Sequence, residues 1–329
     1  MRTFANVIPK DLNDAVVIAQ RAGAASQAVA FTGGGSDLLG MMKDRLATPD
    51  VLVYLKGIKG LDGVTAATGG ARDVTIGGMA TLDALARHEL IRRQYTVLAE
   101  AAETVATPQI RNVATLAGNL CQRPWCWYYR NGFKCLKNGG TTCFSASGEN
   151  QFHSIFGGGP SYIVHPSDTA PALVALDARF RIVGPSGERF VAAGEFFTLP
   201  KDNPARENVL GENDVLAAVV VPRATAGMRS RYVKVMDREA WTHALVSAAA
   251  VVHIDGDVCR DARLVLGGVA PIPWRLPEVE KLLIGQRLTG ALAAAAGEAA
   301  LAGARPLAKN GYKVAMTQAV VRRIIESFA

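Results

Sequence analysis

Cysteine is the residue type of this chain with the clearest capacity for chemistry. All but one of its five cysteines fall in a single short segment: Cys121, Cys126, Cys135 and Cys143. Thiolates bind zinc and iron–sulfur clusters, and four of them are enough for one tetrahedral ion or one cubane cluster. The segment therefore predicts a metal centre, whereas the distant Cys259 lies in a predicted strand and is expected to be an inert core residue.

The spacing of the four cysteines favours an iron–sulfur cluster over zinc. Intervals of five, nine and eight residues do not match the C-x-x-C pairs of zinc ribbons or fingers, and no H-x(3–5)-H partner accompanies them. Aromatic residues lie between the cysteines and can shield a cluster from water: Trp125, Trp127, Tyr128, Tyr129, Phe133 and Phe144. Two disulfides remain the alternative, but they would require an oxidising compartment.

A glycine turn is the first candidate for binding a phosphate group. It lies between a predicted strand and a predicted helix and consists of Thr32, Gly33, Gly34, Gly35, Ser36 and Asp37. Glycines let backbone N–H groups approach a phosphate, and the start of a helix adds a partial positive charge. The turn has neither the G-x-G-x-x-G nor the G-K-[ST] pattern, so a plain connection remains an alternative.

Three further positions are candidates with two interpretations each. The turn from Thr115 to Asn119 allows a close backbone approach to a planar or phosphorylated group, or it caps a helix. Asp168, in the sequence HPSD, caps the next helix or accepts hydrogen bonds from ribose or ribityl hydroxyls. Lys234, in the strand pattern RYVKV, points to solvent or pairs with a phosphate or an electron-rich ring.

Other features of the sequence exclude several classes of protein. No G-x-S-x-G or H-E-x-x-H stretch gathers hydrolytic side chains, so any chemistry would belong to a cofactor. The net charge of +7 is spread without a dense basic run, which argues against nucleic-acid binding. No run of about 18 apolar residues and no signal-peptide pattern occurs, so we expect neither a membrane span nor an export signal.

The length of 329 residues predicts two or three domains, and the pattern of apolar residues predicts their elements. In the first part we expect helices at 12–23, 36–45 and 169–176, with one or two more within 81–104. The strands expected there are 28–32, 51–56, 74–78, 180–183 and 214–221. After a boundary near residue 224, strands at 231–235, 244–254 and 262–269 precede a helical tail, which predicts an antiparallel sheet backed by helices.

Five stretches in a fixed order identify a family. They are TGGGSDLLGMMK, ATPQIRNVATLAGNL, HPSDTAPALVAL, YVKVMDREAWTHALVSAAA and LGGVAPIPWR. Together they resemble the FAD-binding medium subunit of the molybdenum hydroxylases, the xanthine dehydrogenase family. The resemblance implies an α+β fold: a two-lobed FAD-binding domain of the vanillyl-alcohol-oxidase type at 1–223, with lobes at about 1–57 and 58–223. An antiparallel sheet with helices, of the CO dehydrogenase flavoprotein C-terminal type, is then expected at 224–329.

The resemblance also assigns roles to individual residues. It implies that the two turns hold the pyrophosphate of FAD, that the aspartate and the strand lysine lie along the cofactor, and that the flavin itself is the reactive group. The residues expected to bind FAD on this basis are Thr32, Gly33, Gly34, Gly35, Ser36, Asp37, Thr107, Thr115, Ala117, Gly118, Asn119, Asp168 and Lys234.

The segment at about 121–164 looks like an insertion. It is similar to the extra loop of hydroxybenzoyl-CoA reductase and of periplasmic aldehyde oxidoreductases, in which four cysteines hold a 4Fe-4S cluster. Cys126, Cys135 and Cys143 match three of those ligands, but relatives place the fourth near position 152 or 161, where this chain has no cysteine. We predict that Cys121 supplies the fourth ligand; His153 and an incomplete cluster are the alternatives.

The resemblance implies a function within a heterotrimeric molybdenum hydroxylase of the aldehyde oxidoreductase kind. Electrons would come from a large molybdopterin-binding partner through a small 2Fe-2S partner to this FAD, and then to an external acceptor. The alternatives are a stand-alone flavin oxidase or dehydrogenase, and a non-enzymatic iron–sulfur or zinc scaffold. We expect a cytoplasmic complex, or a periplasmic one if a partner carries the export signal.

Overall fold

A computed structural model describes residues 1–66 and 73–329. The strands of this part are β1 (Ala5–Val7), β2 (Val29–Thr32), β3 (Val51–Tyr54), β4 (Val64–Ala66), β5 (Val74–Gly77), β6 (Arg179–Gly184), β7 (Gly187–Ala192), β8 (Val215–Val221), β9 (Met228–Val235), β10 (Val246–Asp255), β11 (Val258–Gly267) and β12 (Trp274–Arg275). Its α-helices are α1 (Leu12–Ala24), α2 (Leu38–Lys43), α3 (Leu82–Arg87), α4 (Glu89–Gln94), α5 (Thr96–Glu103), α6 (Pro108–Arg111), α7 (Leu116–Leu120), α8 (Trp127–Arg130), α9 (Thr169–Ala175), α10 (Ala193–Phe196), α11 (Pro277–Leu283), α12 (Gly290–Ala299) and α13 (Tyr312–Glu326).

The strands form three sheets in chain order. The first is parallel, with the order β1-β3-β2, and the second is antiparallel, with the order β4-β5-β8-β6-β7. The third is antiparallel, with the order β12-β11-β10-β9, and α11 to α13 pack against one of its faces. The predicted fold class is confirmed: α+β, with a two-lobed part followed by an antiparallel sheet with helices.

Strand β10 explains how the C-terminal sheet joins the rest of the molecule. Alternate residues, Val246, Ala248, Ala250 and Val252, pack into the core shared with the C-terminal helices. Ala249 and Val251, on the other face, pack into the core of the N-terminal part. Because both faces of β10 are buried, apolar residues do not alternate with polar ones, and the sequence of the strand is a nearly continuous apolar run. The domain boundary near residue 224 lies between β8 and β9 and stays a prediction, because one core extends across it.

The segment at 121–164, which the sequence predicts to be an insertion and which keeps that name below, has little regular structure beyond α8 and two short 3₁₀ turns. Its second half is held by the C-terminal part through buried polar contacts. The amide of Asn310 donates to the carbonyls of His153 and Ser154, at 3.0 and 3.2 Å. The backbone N–H of Ile155 donates to the carbonyl of Val269 at 2.8 Å. The insertion is therefore a packed segment and not a loose loop.

Local structure departs from expectation where long-range contacts dominate. The region 81–104 contains three short helices, because the chain turns at Tyr95 to bury its ring, and the hydroxyl donates to the carbonyl of Pro222 at 3.0 Å. Helix α2 begins at Leu38, and Asp37 makes no capping hydrogen bond. Strands β1, β4, β7 and β12 are not among those predicted from the sequence. The longest helix in the described ranges has 15 residues, and no helix there meets the requirements for crossing a membrane.

The buried Lys313 gives a test of this packing. Its ammonium donates to the carbonyls of Gly268 and Phe152, at 2.7 and 3.1 Å, and burial lowers its pKa to about 7. Between this pH and the ordinary lysine pKa, the unfolded chain holds a proton that the folded chain has lost. The free energy of unfolding should therefore rise with pH, by at most about 1.4 kcal/mol per unit.

We expect Lys313→Met to remove this part of the pH dependence. The measurement is the unfolding midpoint of both proteins in denaturant at several values between pH 7 and 9. As pH rises in this window, the wild type should gain free energy of unfolding relative to the variant. Parallel curves would show that Lys313 is not buried as described.

Candidate functional site

The two turns singled out in the sequence lie against each other. A Cβ atom on Gly34 would lie 1.8 Å from the carbonyl oxygen of Val113, and one on Gly33 would lie 2.7 Å from Oγ1 of Thr115. Gly35 has a φ of 70°, in the left-handed region that favours glycine. The glycines thus allow the first turn to approach the backbone of the second.

Hydroxyl caps shape the second turn. Oγ1 of Thr115 accepts from the N–H of Gly118 at 3.2 Å and begins α7, and Oγ1 of Thr107 accepts from the N–H of Ile110 at 3.4 Å and begins α6. The N–H of Ala117 donates to the carbonyl of Gly78 at 2.9 Å. Thr107, Thr115 and Ala117 support the turn from behind, and they do not line the cavity beside it.

A cavity of about 360 Å³ opens between the two turns and the loop at 236–245. Five of the predicted FAD-binding residues line it: Ser36, Asp37, Gly118, Asn119 and Asp168. The others, Thr32 to Gly35, Thr107, Thr115, Ala117 and Lys234, lie outside its lining. The cavity is also lined by residues that the sequence did not single out for this site: Trp125, Arg238, Trp241, Thr242 and His243. The motif YVKVMDREAWTHALVSAAA contains most of them, but spacing gave no reason to select them.

The orientation of Asn119 is set by two buried hydroxyls. Its Oδ1 accepts from Oγ of Ser167 and from Oγ1 of Thr169, each at 2.6 Å. Ser167 Oγ itself accepts from the N–H of Ala170, so the proton of Ser167 is directed to Asn119. With its oxygen occupied twice, Asn119 can offer only N–H donors to the cavity.

Asp168 belongs to a buried ion pair. Nζ of Lys234 donates to Oδ2 of Asp168 at 2.7 Å and to the carbonyls of Thr104 and Thr242, at 2.9 and 3.3 Å. The hydroxyl of Tyr232 donates to Oδ1 of Asp168 at 2.7 Å, and burial, together with this carboxylate, raises the pKa of Tyr232 well above its usual value. All three donors of Lys234 are taken by the protein, and only 1% of its side chain is exposed. The lysine thus faces neither solvent nor the cavity, and it holds Asp168 in place from behind.

Neither Asp37 nor Asp168 caps the helix that follows it. Ser167, not Asp168, caps α9 by accepting from the N–H of Ala170 at 3.0 Å. The carboxylate of Asp37 accepts from the guanidinium of Arg130 at 2.7 Å and from the N–H of Arg123 at 3.0 Å. Both partners of Asp37 belong to the insertion, so this aspartate ties the insertion to the edge of the cavity.

A second cavity of about 290 Å³ adjoins the first. The two share five lining residues: Trp125, Pro166, Asp168, Thr242 and His243. Other walls of the second cavity come from the insertion and include Trp127, Phe152 and Cys126. His165 also lines it, and burial lowers the pKa of this imidazole to about 3, so it is neutral at physiological pH. The guanidinium of Arg130 lies 4.2 Å from the ring centre of Trp125 and supports the wall between the cavities.

Three of the four clustered cysteines come together. Cys126, Cys135 and Cys143 line one small cavity, closed by Tyr129, Phe144 and Ile163. Cys126 also lines the second cavity, so the thiol cavity and the two larger cavities form a series. Nε2 of His153 lies 3.4 Å from Sγ of Cys126, within hydrogen-bonding distance of the sulfur.

Cys121 is separate from the other three thiols. It ends α7 and packs against the core of the N-terminal part, and burial raises the pKa of its thiol to about 12. It does not line the thiol cavity. The helix that Thr115 caps turns the side chain of Cys121 into the core, so this placement does not support Cys121 as the fourth ligand, which stays a prediction.

The side chains of the thiol cavity do not form a site for a single metal ion. In residues 1–66 and 73–329, no group of three or more His, Cys, Asp or Glu side chains is arranged to hold a single metal ion. The three thiols share a cavity without converging on one point, an arrangement that does not fit tetrahedral zinc. The thiol cavity has a volume of about 10 Å³, room for about one water, so the structure does not favour a cluster over zinc, and the iron–sulfur cluster stays a prediction from the sequence.

Comparisons with known proteins cover both parts of the chain. Residues 2–224 match the family described as FAD binding domain in molybdopterin dehydrogenase, and residues 231–328 match the CO dehydrogenase flavoprotein C-terminal domain. The aldehyde oxidoreductase FAD-binding subunit PaoB of Escherichia coli K12 is 34% identical over 299 residues, covering 90% of each chain. The carbon monoxide dehydrogenase medium chain of Hydrogenophaga pseudoflava is 28% identical over 324 residues, which cover 97% of this chain and 94% of that one. A solved structure of carbon monoxide dehydrogenase from Hydrogenophaga pseudoflava superposes with a TM-score of 0.76 at 26% identity, over 98% of this chain and 96% of that one.

The contact between the turns predicts the effect of Gly34→Ala. The added Cβ would collide with a backbone carbonyl, so the free energy of unfolding should fall by about 1–3 kcal/mol and the turns should move apart. Gly40→Ala is the matched control, because Gly40 lies in α2 with no atom near its Cβ position. Unfolding in denaturant compares the two, and equal stability would contradict the close approach.

The buried ion pair predicts a second pattern. Lys234→Met leaves the Asp168 carboxylate buried without its cation and should lower the free energy of unfolding by about 3–5 kcal/mol. Adding Asp168→Asn should recover part of this loss, because it removes the buried charge. Arg93→Met, which breaks an exposed ion pair with Glu89, is the control and should cost less than about 1 kcal/mol. Additive losses in the double variant would show that the two residues do not interact.

Proposed function

Since this chain belongs to the FAD-binding subunits of molybdopterin dehydrogenases, and is thus an oxidoreductase subunit, we propose that it transfers electrons within a molybdenum hydroxylase of the aldehyde oxidoreductase kind. The similarity to PaoB over most of both chains supports this choice of substrate class. The observation that carries the proposal is the series of adjoining cavities, which run from the glycine turns to the clustered thiols.

FAD fits the first two cavities by chemistry and by size. Each cavity alone is small for a dinucleotide. The two cavities share one wall, so FAD would extend across both. Ser36 and the backbone near Gly118 would meet the pyrophosphate, where the glycine turns leave no side chain in the way. When bound, FAD supplies the reversible acceptance of electrons that the protein side chains cannot provide.

The side chains of this chain would hold and orient the cofactor. Asn119 offers amide donors to oxygen atoms of the cofactor, because its own oxygen is occupied by Ser167 and Thr169. Asp168 keeps a fixed carboxylate for hydroxyl groups, since Lys234 and Tyr232 hold both of its oxygens from behind. Trp125 would exclude water from the junction of the two cavities.

The insertion is proposed to hold an iron–sulfur cluster, in a loop like that of hydroxybenzoyl-CoA reductase and periplasmic aldehyde oxidoreductases. Cys126, Cys135 and Cys143 are the thiolate ligands that the shared cavity supports. Because Cys126 also borders the second cavity, a cluster on these thiols would lie next to the proposed FAD position and could exchange electrons with it. The enclosing aromatic side chains would limit the access of water to the cluster.

The partners are proposed from the relatives. PaoB is named as a subunit and the carbon monoxide dehydrogenase relative as a medium chain, so we propose a large molybdopterin-binding partner and a small 2Fe-2S partner. The flavin would then pass electrons to an external acceptor. The complex is proposed to be cytoplasmic, or periplasmic if a partner carries the export signal. Purification of the native complex tests this, because a chain that is active without partners would favour a stand-alone flavoenzyme.

A visible spectrum and an iron assay of the purified full chain test the cofactors. We expect flavin bands near about 370 and 450 nm, roughly where free flavins absorb, and iron in excess of FAD. Cys135→Ser should lose most of the iron and keep the flavin, because it removes one thiolate of the cavity. Cys259→Ser is the control, since this buried thiol lies in β11, far along the chain from the insertion.

Each part of the proposal has its own contradicting outcome. A chain without flavin bands would refute the FAD site. A Cys135→Ser variant that keeps its iron would refute the cluster ligands, even with flavin present. A chain that binds iron but neither reduces nor is reduced by a diffusible acceptor would favour the scaffold alternative.

A further inference from the structure

The wall of the first cavity contains two residues with a strained backbone. Trp241 has a φ of 58°, in the left-handed region that a bulky side chain rarely adopts. Ala106, which lines the same cavity, has a φ of 45°. The two residues are joined, because the N–H of Trp241 donates to the carbonyl of Ala106 at 3.2 Å. Strained residues persist only where the surrounding structure holds them, and they cluster at ligand-binding sites.

Further contacts hold Trp241 in this conformation. The guanidinium of Arg238 donates to its carbonyl at 2.8 Å, so both backbone polar groups of Trp241 are engaged. Ala106 lies in the connection between α5 and α6, whereas Trp241 belongs to the loop at 236–245. The hydrogen bond between them therefore joins the N-terminal part to the C-terminal part beside the cavity. The backbone of Trp241 is fixed by these contacts and not by a local preference of its sequence.

The indole of Trp241 has no stacking partner among residues 1–66 and 73–329. The side chain is 58% exposed, although the residue lines a cavity. Trp125, the other tryptophan of this cavity, already contacts the ring of His243 and the guanidinium of Arg130. An exposed, unstacked ring on a constrained backbone indicates that its partner is a ring of a bound ligand.

We propose that Trp241 stacks on a planar ring of FAD, and that the constrained loop holds the indole ready for this contact. This inference rests on the proposed FAD site. FAD would extend across the two larger cavities, so one of its two ring systems, adenine or isoalloxazine, would lie in the first. The proposed pyrophosphate contacts, Ser36 and Gly118, line that cavity too, which brings a ring within reach of Trp241. An indole that is fixed before binding loses little freedom when it stacks, and this favours affinity.

The test measures the binding of FAD to the full chain, by equilibrium dialysis after its flavin has been removed. We expect Trp241→Leu to weaken FAD binding by roughly five- to a hundred-fold, the range for losing one stacked ring. Trp241→Phe should retain most of the affinity, because it keeps an aromatic face. Phe190→Ala is the matched control: it removes an exposed aromatic side chain of β7 that lines neither cavity, and it should bind FAD as the wild type does.

Two fragments of FAD identify the ring. ADP carries the adenine and FMN carries the isoalloxazine, each with phosphate. If the indole stacks on adenine, Trp241→Leu should weaken the binding of ADP and leave that of FMN unchanged. The reverse pattern assigns the isoalloxazine, and the fluorescence of bound FMN should then be higher in Trp241→Leu than in the wild type, because a stacked indole quenches flavin emission.

Other results would overturn the inference. Equal FAD binding by wild type and Trp241→Leu would show that the indole makes no contact with the cofactor. Equal losses in Trp241→Phe and Trp241→Leu would show that an aromatic face is not what the cofactor needs. Equal weakening of ADP and FMN binding would indicate a general disturbance of the site. A wild-type chain that binds no FAD would refute the proposed FAD site itself, whereas the other results leave that site in place.

Discussion

The buried contact between Lys234 and Asp168 is the interaction on which the site depends. The contact joins strand β9 of the C-terminal sheet to the segment that precedes α9. Lys234 also donates to the carbonyl of Thr104, which connects the end of α5 to the same point. An ion pair of this kind is weak as a source of stability, because removing two charges from water costs nearly as much as their attraction returns. The ion pair instead fixes the geometry. Any arrangement that separated Lys234 from Asp168 would leave a buried charge unpaired, so these segments are held in one arrangement.

That arrangement places the cavity at the junction of the two parts of the molecule. The C-terminal part contributes the loop at 236–245, and the N-terminal part contributes the two turns whose backbones meet at Gly34. The sheet that carries Lys234 is packed on both faces, so it cannot tilt without disturbing two cores. The rigid position of β9 is thus transmitted to Asp168 and to the wall of the cavity.

The insertion is a structural neighbour of the cavity and not an appendage. Asp37 binds it at the edge of the glycine turn, and Asn310 binds it from the C-terminal part. Trp125 then separates the two larger cavities, while Cys126 borders both the second cavity and the thiol cavity. A redox centre in the insertion would consequently lie close to the cofactor site because the same contacts hold both.

The amino-acid sequence by itself determined the fold class, most helices and strands, and the two turns that meet at the cavity. These follow from short-range patterns: the apolar run of β10, the glycines at 33–35 and the order of the motifs. It also brought Cys126, Cys135 and Cys143 into one group. The spacing of the cysteines could not show that Cys121 points away from the other three. Its side chain points into the core because Cys121 ends α7.

Only the tertiary structure decided what each polar side chain contacts. Lys234 lies in a strand pattern that predicts an outward side chain, yet its partner is 66 residues away in the sequence. Asp37 lies just before α2 in the sequence, yet its partner is Arg130 in the insertion. The loop at 236–245 became part of the site for the same reason. Local patterns specify periodicity and turns, whereas hydrogen bonds, burial and charge pairing depend on which distant segments the packed core brings together.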